Sequence, residues 1–180
     1  METVEAQKTT WKIDELHSEV QFKVKHLVIS TVTGSFNKFE AEVEAADENF
    51  TNARIKFSAD IDSIHTGVTD RDAHLKSDDF FNAEQFPKLT FESTGFEKAG
   101  GHYELKGDLT IRDITKPVTL QVDFGGVVTD MYQQTKAGFE VTGVINRKDF
   151  GLKWNGVTEA GGVVVADEVK IIGNVQFTKV

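Results

Sequence analysis

The feature that most constrains this chain is a hydrophobic period of two that recurs along almost its whole length. In the segment 53–61, Ala, Ile, Phe, Ala and Ile alternate with charged or hydroxyl-bearing residues, so one face of an extended chain is apolar. The same alternation returns in seven further segments: 20–24, 39–45, 89–93, 103–111, 118–124, 139–145 and 169–177. Mostly short connections separate these segments, which predicts an antiparallel meander of about eight or nine strands.

One segment, from about 66 to 86, breaks the alternation. Thr69 followed three residues later by Asp72 resembles a capping box, and acidic residues recur farther along the segment. We therefore expect a short helix near 70–77 and a further helical turn near 78–83.

The apolar phase changes twice in the first strands, between Val24 and Leu27 and between Phe36 and Phe39. Because a slip of one residue would turn the wrong face inward, we interpret these changes as a bulge and a bend. The pair Gly125–Gly126 predicts a turn.

Closure of the sheet follows from its height. Strands of about 10 to 12 residues reach roughly 33 to 40 Å, and a tall sheet with one polar face avoids exposed edges by closing on itself. About eight strands enclose an interior that is either filled by side chains or able to hold one ligand. We predict an all-β fold, an elongated antiparallel eight-stranded barrel with a short helical insert at about 66–86. Residues 1–10 are expected to form a flexible segment before a single domain, 11–180.

The predicted inward positions combine Phe with very small residues. The chain has 14 Phe, and Ala or Gly occupies seven inward positions: Ala41, Ala45, Ala53, Ala59, Gly107, Gly143 and Gly173. Small residues leave room, and a Phe-walled tunnel suits a long apolar chain, whose burial is worth about 0.8 kcal/mol per CH₂. The alternative is that Phe fills a solid core, and the pattern favours neither. Phe at Gly143 or Ala59 is expected to block such a tunnel.

Composition excludes several classes of protein. Without Cys there is no disulfide, thiolate nucleophile or Cys-based metal site. A net charge of −9 argues against nucleic-acid binding, and no apolar run approaches the roughly 20 residues that span a bilayer. Residues 1–10 lack the features of a secretory signal, so we expect a cytoplasmic protein, or a periplasmic one if a leader has been removed.

The five His residues show no metal-binding spacing. Asp70, Asp72 and His74 could converge on a metal, but helix capping explains the carboxylates more simply. A triad built on His17 and Ser18 is geometrically poor, because neighbouring strand residues face opposite sides. We therefore expect neither a metal site nor catalytic residues.

Several motifs, in order, resemble those of the YceI-like family. They are Trp11-Lys-Ile-Asp14, His17-Ser18-x-Val20-x-Phe22-x-Val24-x-His26-Leu27, Arg71-Asp72-x-His74-Leu75-x-Ser77-x-x-Phe80-Phe81, Thr115-Lys116-Pro117-Val118 and Arg147-x-Asp149-Phe150-Gly151. The resemblance extends from about Trp11 to Phe177. It implies a lipocalin-like barrel of a bacterial lipid carrier or sequestering protein. It also implies a polyisoprenoid, such as a polyprenyl phosphate, or a quinone-like tail in the central pore, without enzyme activity or another cofactor. A homodimer is left open.

The pattern and the resemblance together predict the site residues. The pore wall is expected to contain Phe22, Phe39, Phe57, Ala59, Phe91, Phe124, Phe139, Val141, Gly143 and Phe177. The mouth, or the site of the head group, is expected to contain Arg71, His74, Leu75, Phe80, Phe81, Phe86, Arg147 and Trp154.

Two arginines of the predicted mouth, Arg71 and Arg147, allow alternative interpretations. Each could bind a phosphate head group, or could be tied to Asp72 or Asp149 and hold the insert in place. Two other functions stay open at this point: a barrel enzyme for a small hydrophobic substrate, and a stress-linked interaction module with a filled core. A meeting of His26 with Arg147 inside the pore would favour the enzyme.

Overall fold

The computed structural model describes residues 8–156 and 164–180, which form eleven β-strands and one α-helix. The strands are β1 (Thr9–Ile13), β2 (Glu19–His26), β3 (Ser30–Phe36), β4 (Phe39–Ala45), β5 (Arg54–Asp60), β6 (Ile64–His65), β7 (Lys88–Ala99), β8 (His102–Ile111), β9 (Ile114–Thr129), β10 (Thr135–Asn146) and β11 (Val165–Lys179). Helix α1 (Thr69–Lys76) lies between β6 and β7. Strand β1 thus begins inside the segment 1–10 that was expected to be flexible, and residues 1–7 lie outside the described part.

The first six strands form three bent strands, each made of two segments that follow one another along the chain. Short 3₁₀ turns at Glu15–His17 and Ile61–Ser63 separate β1 from β2 and β5 from β6, and two residues separate β3 from β4. The expected bend between Phe36 and Phe39 is therefore present. With each pair counted as one, eight strands follow one another in antiparallel order, and β11 closes on both β1 and β2. The predicted closed eight-stranded barrel is confirmed.

Two predicted irregularities take a different form. The phase change between Val24 and Leu27 is not a bulge, because β2 ends at His26 and a tight hairpin turn follows. Gly125–Gly126 is not a turn but lies inside β9, where Gly126 pairs with Gly138 and Gly125 has no direct partner in β10. Glycine marks a bulge as readily as a turn, and the chain reverses only beyond Thr129.

The helical insert is shorter than expected. Helix α1 begins at Thr69 without a side-chain cap, and the Asp72 carboxylate instead accepts hydrogen bonds from the backbone N–H and the hydroxyl of Thr66. The second helical turn expected near 78–83 is replaced by a series of turns. Asn82 has a φ of 50°, which a continuing right-handed helix does not allow.

The two ends of the barrel are closed by different means. At the end where the chain enters β1, Trp11 is 0% exposed and its ring lies 5.0 Å from that of Phe50. At the other end the insert covers the barrel, and Arg112 in the β8–β9 turn donates to the carbonyl oxygens of Asp78 and Phe80. One end is therefore plugged by side chains, and the other is covered by a chain segment.

Asp14 holds the bend between β1 and β2. Its carboxylate accepts a hydrogen bond from the Leu16 N–H and lies 2.8 Å from His17 Nδ1 and 3.1 Å from Lys136 Nζ. Burial acts to raise the pKa of Asp14, but the hydrogen bonds from His17 and Lys136 outweigh it and hold the pKa below its ordinary value.

We predict that Asp14→Asn lowers the free energy of unfolding by about 1 to 2 kcal/mol at neutral pH, because hydrogen bonds to a charged group are lost. A lowered folded-state pKa stabilises the fold above the unfolded-state pKa, and this stabilisation is lost as pH falls through the folded-state value. Urea unfolding as a function of pH should show the curves of the variant and the parent converging in acid. Glu42→Gln, on the exposed outer face, is the control. A gap that stays constant down to about pH 2 would contradict this role of Asp14.

Candidate functional site

An apolar cavity of about 250 Å³ lies inside the barrel. Ten strands, the insert and the loop after β10 contribute to its wall. Among the described residues, only apolar atoms face the void. Such a surface offers dispersion contacts and burial from water, and it offers no hydrogen-bonding group to a bound molecule.

Most of the predicted wall residues surround this void. Six of them line it: Phe22, Phe57, Phe91, Phe139, Val141 and Phe177. The other four lie in the barrel wall but away from the void: Phe39, Ala59, Phe124 and Gly143. Phe39 stacks on Phe57 and Phe124 stacks on Phe139, so each supports a ring that does line the cavity. Contact of the six with a ligand stays a prediction.

Some of the inward glycines are covered by larger neighbouring side chains and do not border empty space. A Cβ on Gly143 would overlap Leu120, and a Cβ on Gly107 would overlap Phe91. These large side chains lean over the glycines and fill the space that the sequence suggested was free. Phe at Gly143 would therefore collide with Leu120 before it reached the void.

Gly173 is different from these glycines. It lines the cavity, and a Cβ there would lie 3.5 Å from Val141 Cβ, an ordinary van der Waals distance. Gly173 is therefore a position where a larger side chain could enter the void without first displacing the wall.

The predicted wall residues did not include Phe50, which lies in the connection between β4 and β5. Phe50 is 2% exposed, lines the cavity, and packs against Phe124 and Phe139 with ring centroids 5.4 and 4.9 Å away. A single Phe among polar turn residues is a signal that could have been used, because such a ring gains most by folding back onto the core.

The predicted mouth residues form two layers. Leu75, Phe80, Phe81 and Arg147 line the cavity. The other four lie outside this layer: Arg71, His74, Phe86 and Trp154.

Each residue of the outer layer has a partner near the insert, and that of Phe86 is the guanidinium of Arg112, 5.7 Å from the ring centroid. The Trp154 ring lies 5.4 Å from Phe80, and the edge-on His74 ring lies 4.7 Å from Trp154. Arg71 donates to the hydroxyl and carbonyl oxygens of Thr66. The outer layer thus braces the insert over the void.

Arg147 is 2% exposed and is held by the backbone. Its guanidinium donates to the carbonyl oxygens of Ala166, Leu152, Trp154 and Val165, at 2.8, 2.6, 2.8 and 3.3 Å. Burial lowers the pKa of Arg147, and the nearby charge of Asp167 offsets part of this effect. The sequence suggested Asp149 or a head group as the partner, whereas the observed hydrogen bonds go to main-chain carbonyls and the paired carboxylate is that of Asp167, 3.9 Å away.

The described residues contain no arrangement that suggests other chemistry. Within 8–156 and 164–180, no three His, Asp or Glu side chains are close enough together to hold a metal ion. The hydrogen bonds of Arg147 in this part of the chain go to carbonyl oxygens, and none joins it to His26. The helix in the described ranges is not long and apolar enough to cross a membrane. The expected absence of a metal and of catalysis stays a prediction.

We predict that Arg147→Met lowers the free energy of unfolding by about 3 to 5 kcal/mol, because it leaves buried carbonyl oxygens without donors. Arg71→Met is the matched control and should cost only about 1 kcal/mol, since its partners belong to the single half-buried residue Thr66. Urea unfolding measures both. Equal losses of unfolding free energy in the two variants would show that the carbonyl contacts of Arg147 add no stability beyond those of Arg71.

Comparison with known proteins places this fold among relatives of similar length. The family model described as the YceI-like domain matches residues 11–177. A UPF0312 protein of Staphylococcus aureus is 37% identical over 171 residues, covering 94% of this chain and 98% of the relative.

Two solved structures have similar folds. BcnA of Burkholderia cenocepacia superimposes with a TM-score of 0.79 at 24% identity, covering 91% of this chain and 98% of BcnA. A polyisoprenoid binding domain from Saccharophagus degradans has a TM-score of 0.66 at 14% identity, covering 93% of this chain and 97% of that domain.

Proposed function

This chain belongs to the YceI-like family, and we propose that it binds one long-chain amphiphile, a polyisoprenoid or a molecule with a similar apolar tail, inside its barrel. The observation that carries this proposal is the apolar cavity of about 250 Å³ in the barrel interior. The protein would act as a lipid carrier or sequestering protein, without catalysis.

The energetics of the cavity support an occupant. At about 24 cal/mol per Å³, leaving this volume empty would cost on the order of 6 kcal/mol, comparable to the whole stability of a small domain. An apolar cavity of about 150 Å³ already takes up benzene, so this one has room for a larger apolar segment. An apolar tail recovers about 0.8 kcal/mol for each CH₂ that it buries.

The ends of the barrel favour one direction of access. Trp11 is fully buried in the plug at one end, whereas Phe81 of the insert is only half-buried at the other. A tail longer than the present void would therefore extend past the insert, and a polar head group would lie at that end. The polyisoprenoid binding of the Saccharophagus domain belongs to that protein, and it supports the same ligand class here.

Organic extraction of the purified protein, followed by mass spectrometry, tests the proposal. We expect about one long-chain amphiphile per protein molecule, because the barrel holds one continuous void. A protein that yields no such molecule, and whose thermal midpoint does not rise with prenol or quinone-tail analogues, would be evidence against lipid binding.

We predict that Gly173→Leu lowers the amount of extracted lipid about tenfold, because its side chain would fill space equivalent to about two CH₂ groups of the tail. Ala41→Leu, in β4, which also lines the void, should act in the same way. Gly95→Leu is the matched control, since the space around a Cβ at Gly95 is open. Normal lipid content in both cavity variants, with unchanged stability, would show that the ligand lies elsewhere.

A further inference from the structure

The hairpin that joins β2 to β3 carries an apolar tip on the outside of the barrel. Its three consecutive residues Leu27, Val28 and Ile29 are 39%, 76% and 86% exposed. Single exposed aliphatic residues are common, but a contiguous group on a projecting turn is a feature of interaction sites.

The backbone conformation of the tip is also unfavourable. Leu27 and Val28 have φ values of 53° and 65°, in the left-handed region. Two successive left-handed residues in a hairpin favour Asn-Gly, and a β-branched residue such as Val is strained there. These side chains therefore cost free energy both in water and in their own turn, which points to a function that retains them.

The charge of this hairpin differs in sign from that of the rest of the protein. The chain has 29 acidic residues among 180 and a net charge of −9. The segment 20–38 nevertheless contains no Asp or Glu, while it contains Lys23, Lys25 and Lys38. A basic hairpin on an acidic protein indicates a partner with negative charge.

Two of these lysines lie beside the tip on the outer face. Lys23 and Lys25 are exposed, because they alternate with Phe22 and Val24, whose side chains line the cavity. Lys170 of β11 is the cross-strand partner of Lys23 and is also exposed. The outer face of β2 and of the adjoining β11 therefore presents three ammonium groups, with one carboxylate, that of Glu168, beside Lys170.

The tip lies at the insert end of the barrel. The Leu27 N–H donates to the carbonyl oxygen of Val164, and His26 pairs with Val165, just after the loop that follows β10. The same loop carries Trp154, which packs over Phe80 of the insert. The apolar tip and the covered mouth thus lie at the same end of the barrel.

We propose that Leu27–Ile29, with Lys23, Lys25 and Lys170, docks the insert end of the barrel on a bilayer that has anionic head groups. The aliphatic side chains enter the interfacial region, and the lysines contact lipid phosphates. This inference rests on the proposed function, because a lipid carrier has to exchange its ligand with a membrane. A second copy of the chain suits the tip less well, since it would bring the same lysines against each other.

Sedimentation with vesicles of equal parts phosphatidylcholine and phosphatidylglycerol tests the docking. Val28→Gly combined with Ile29→Thr should lower the partition coefficient at least about tenfold, because it removes the two most exposed side chains of the tip. The thermal midpoint should stay the same or rise, since Gly accepts the left-handed conformation at position 28.

Met131→Ser combined with Tyr132→Ser is the matched control. These residues are 82% and 77% exposed on the hairpin between β9 and β10, at the opposite end of the barrel. This variant should bind vesicles like the parent protein. An equal loss of binding in the two double variants would overturn the proposal.

Lys23→Gln combined with Lys25→Gln tests the electrostatic part. Binding to the mixed vesicles should fall about fivefold per lysine removed, and the dependence on salt should weaken. The proposal is overturned if the parent protein does not bind the mixed vesicles. It is also overturned if the Val28 and Ile29 variant becomes monomeric from a dimer while vesicle binding is retained.

Lipid extraction from the same samples separates this proposal from the proposed function. Protein that carries lipid but does not bind vesicles disproves the docking and leaves the ligand cavity in place. Protein that binds vesicles through the tip but yields no lipid supports the docking surface and contradicts the carrier function.

Discussion

The pairing of β11 with both β1 and β2 is the constraint on which the rest of the structure depends. Phe177 of β11 pairs with Ile13 of β1, and Gly173 pairs with Val20 of β2, so one long strand closes the sheet along both parts of a bent one. Closure supplies partners for backbone groups that would otherwise form an exposed edge. It also fixes the circumference, and an interior set by strand number need not match the volume of the side chains inside it.

The void reflects this difference between the interior volume and the side-chain volume. It also depends on how large side chains pack over small residues. Leu120 and Phe91 lie over Gly143 and Gly107 and are thereby held close to the wall. Phe124 stacks behind Phe139 and stiffens the wall from within. Apolar space remains between these side chains.

The period of two made the barrel predictable, because each inward position was visible as an apolar residue in phase. The same signal could not distinguish residues that face the void from residues that support them, as Phe39 and Phe124 show. Gly125–Gly126 was ambiguous because glycine serves turns and bulges alike. The partners of Arg147 had no sequence signature at all, since they are main-chain carbonyl oxygens brought together only by folding.

The difference between the two ends gives the barrel a direction. The plug at Trp11 and Phe50 belongs to the buried core, so opening it would expose large aromatic surface to water. The insert is fastened by hydrogen bonds from Arg112 to the carbonyls of Asp78 and Phe80, and by the side chain of Phe80, which is buried in the core. Leu75 and Phe81 of the insert are only partly buried, whereas Trp11 and Phe50 of the plug are almost fully buried, so the insert end is the less tightly packed of the two. The proposed apolar tail would therefore enter past the insert, at the end of the barrel that also carries the hairpin of β2 and β3.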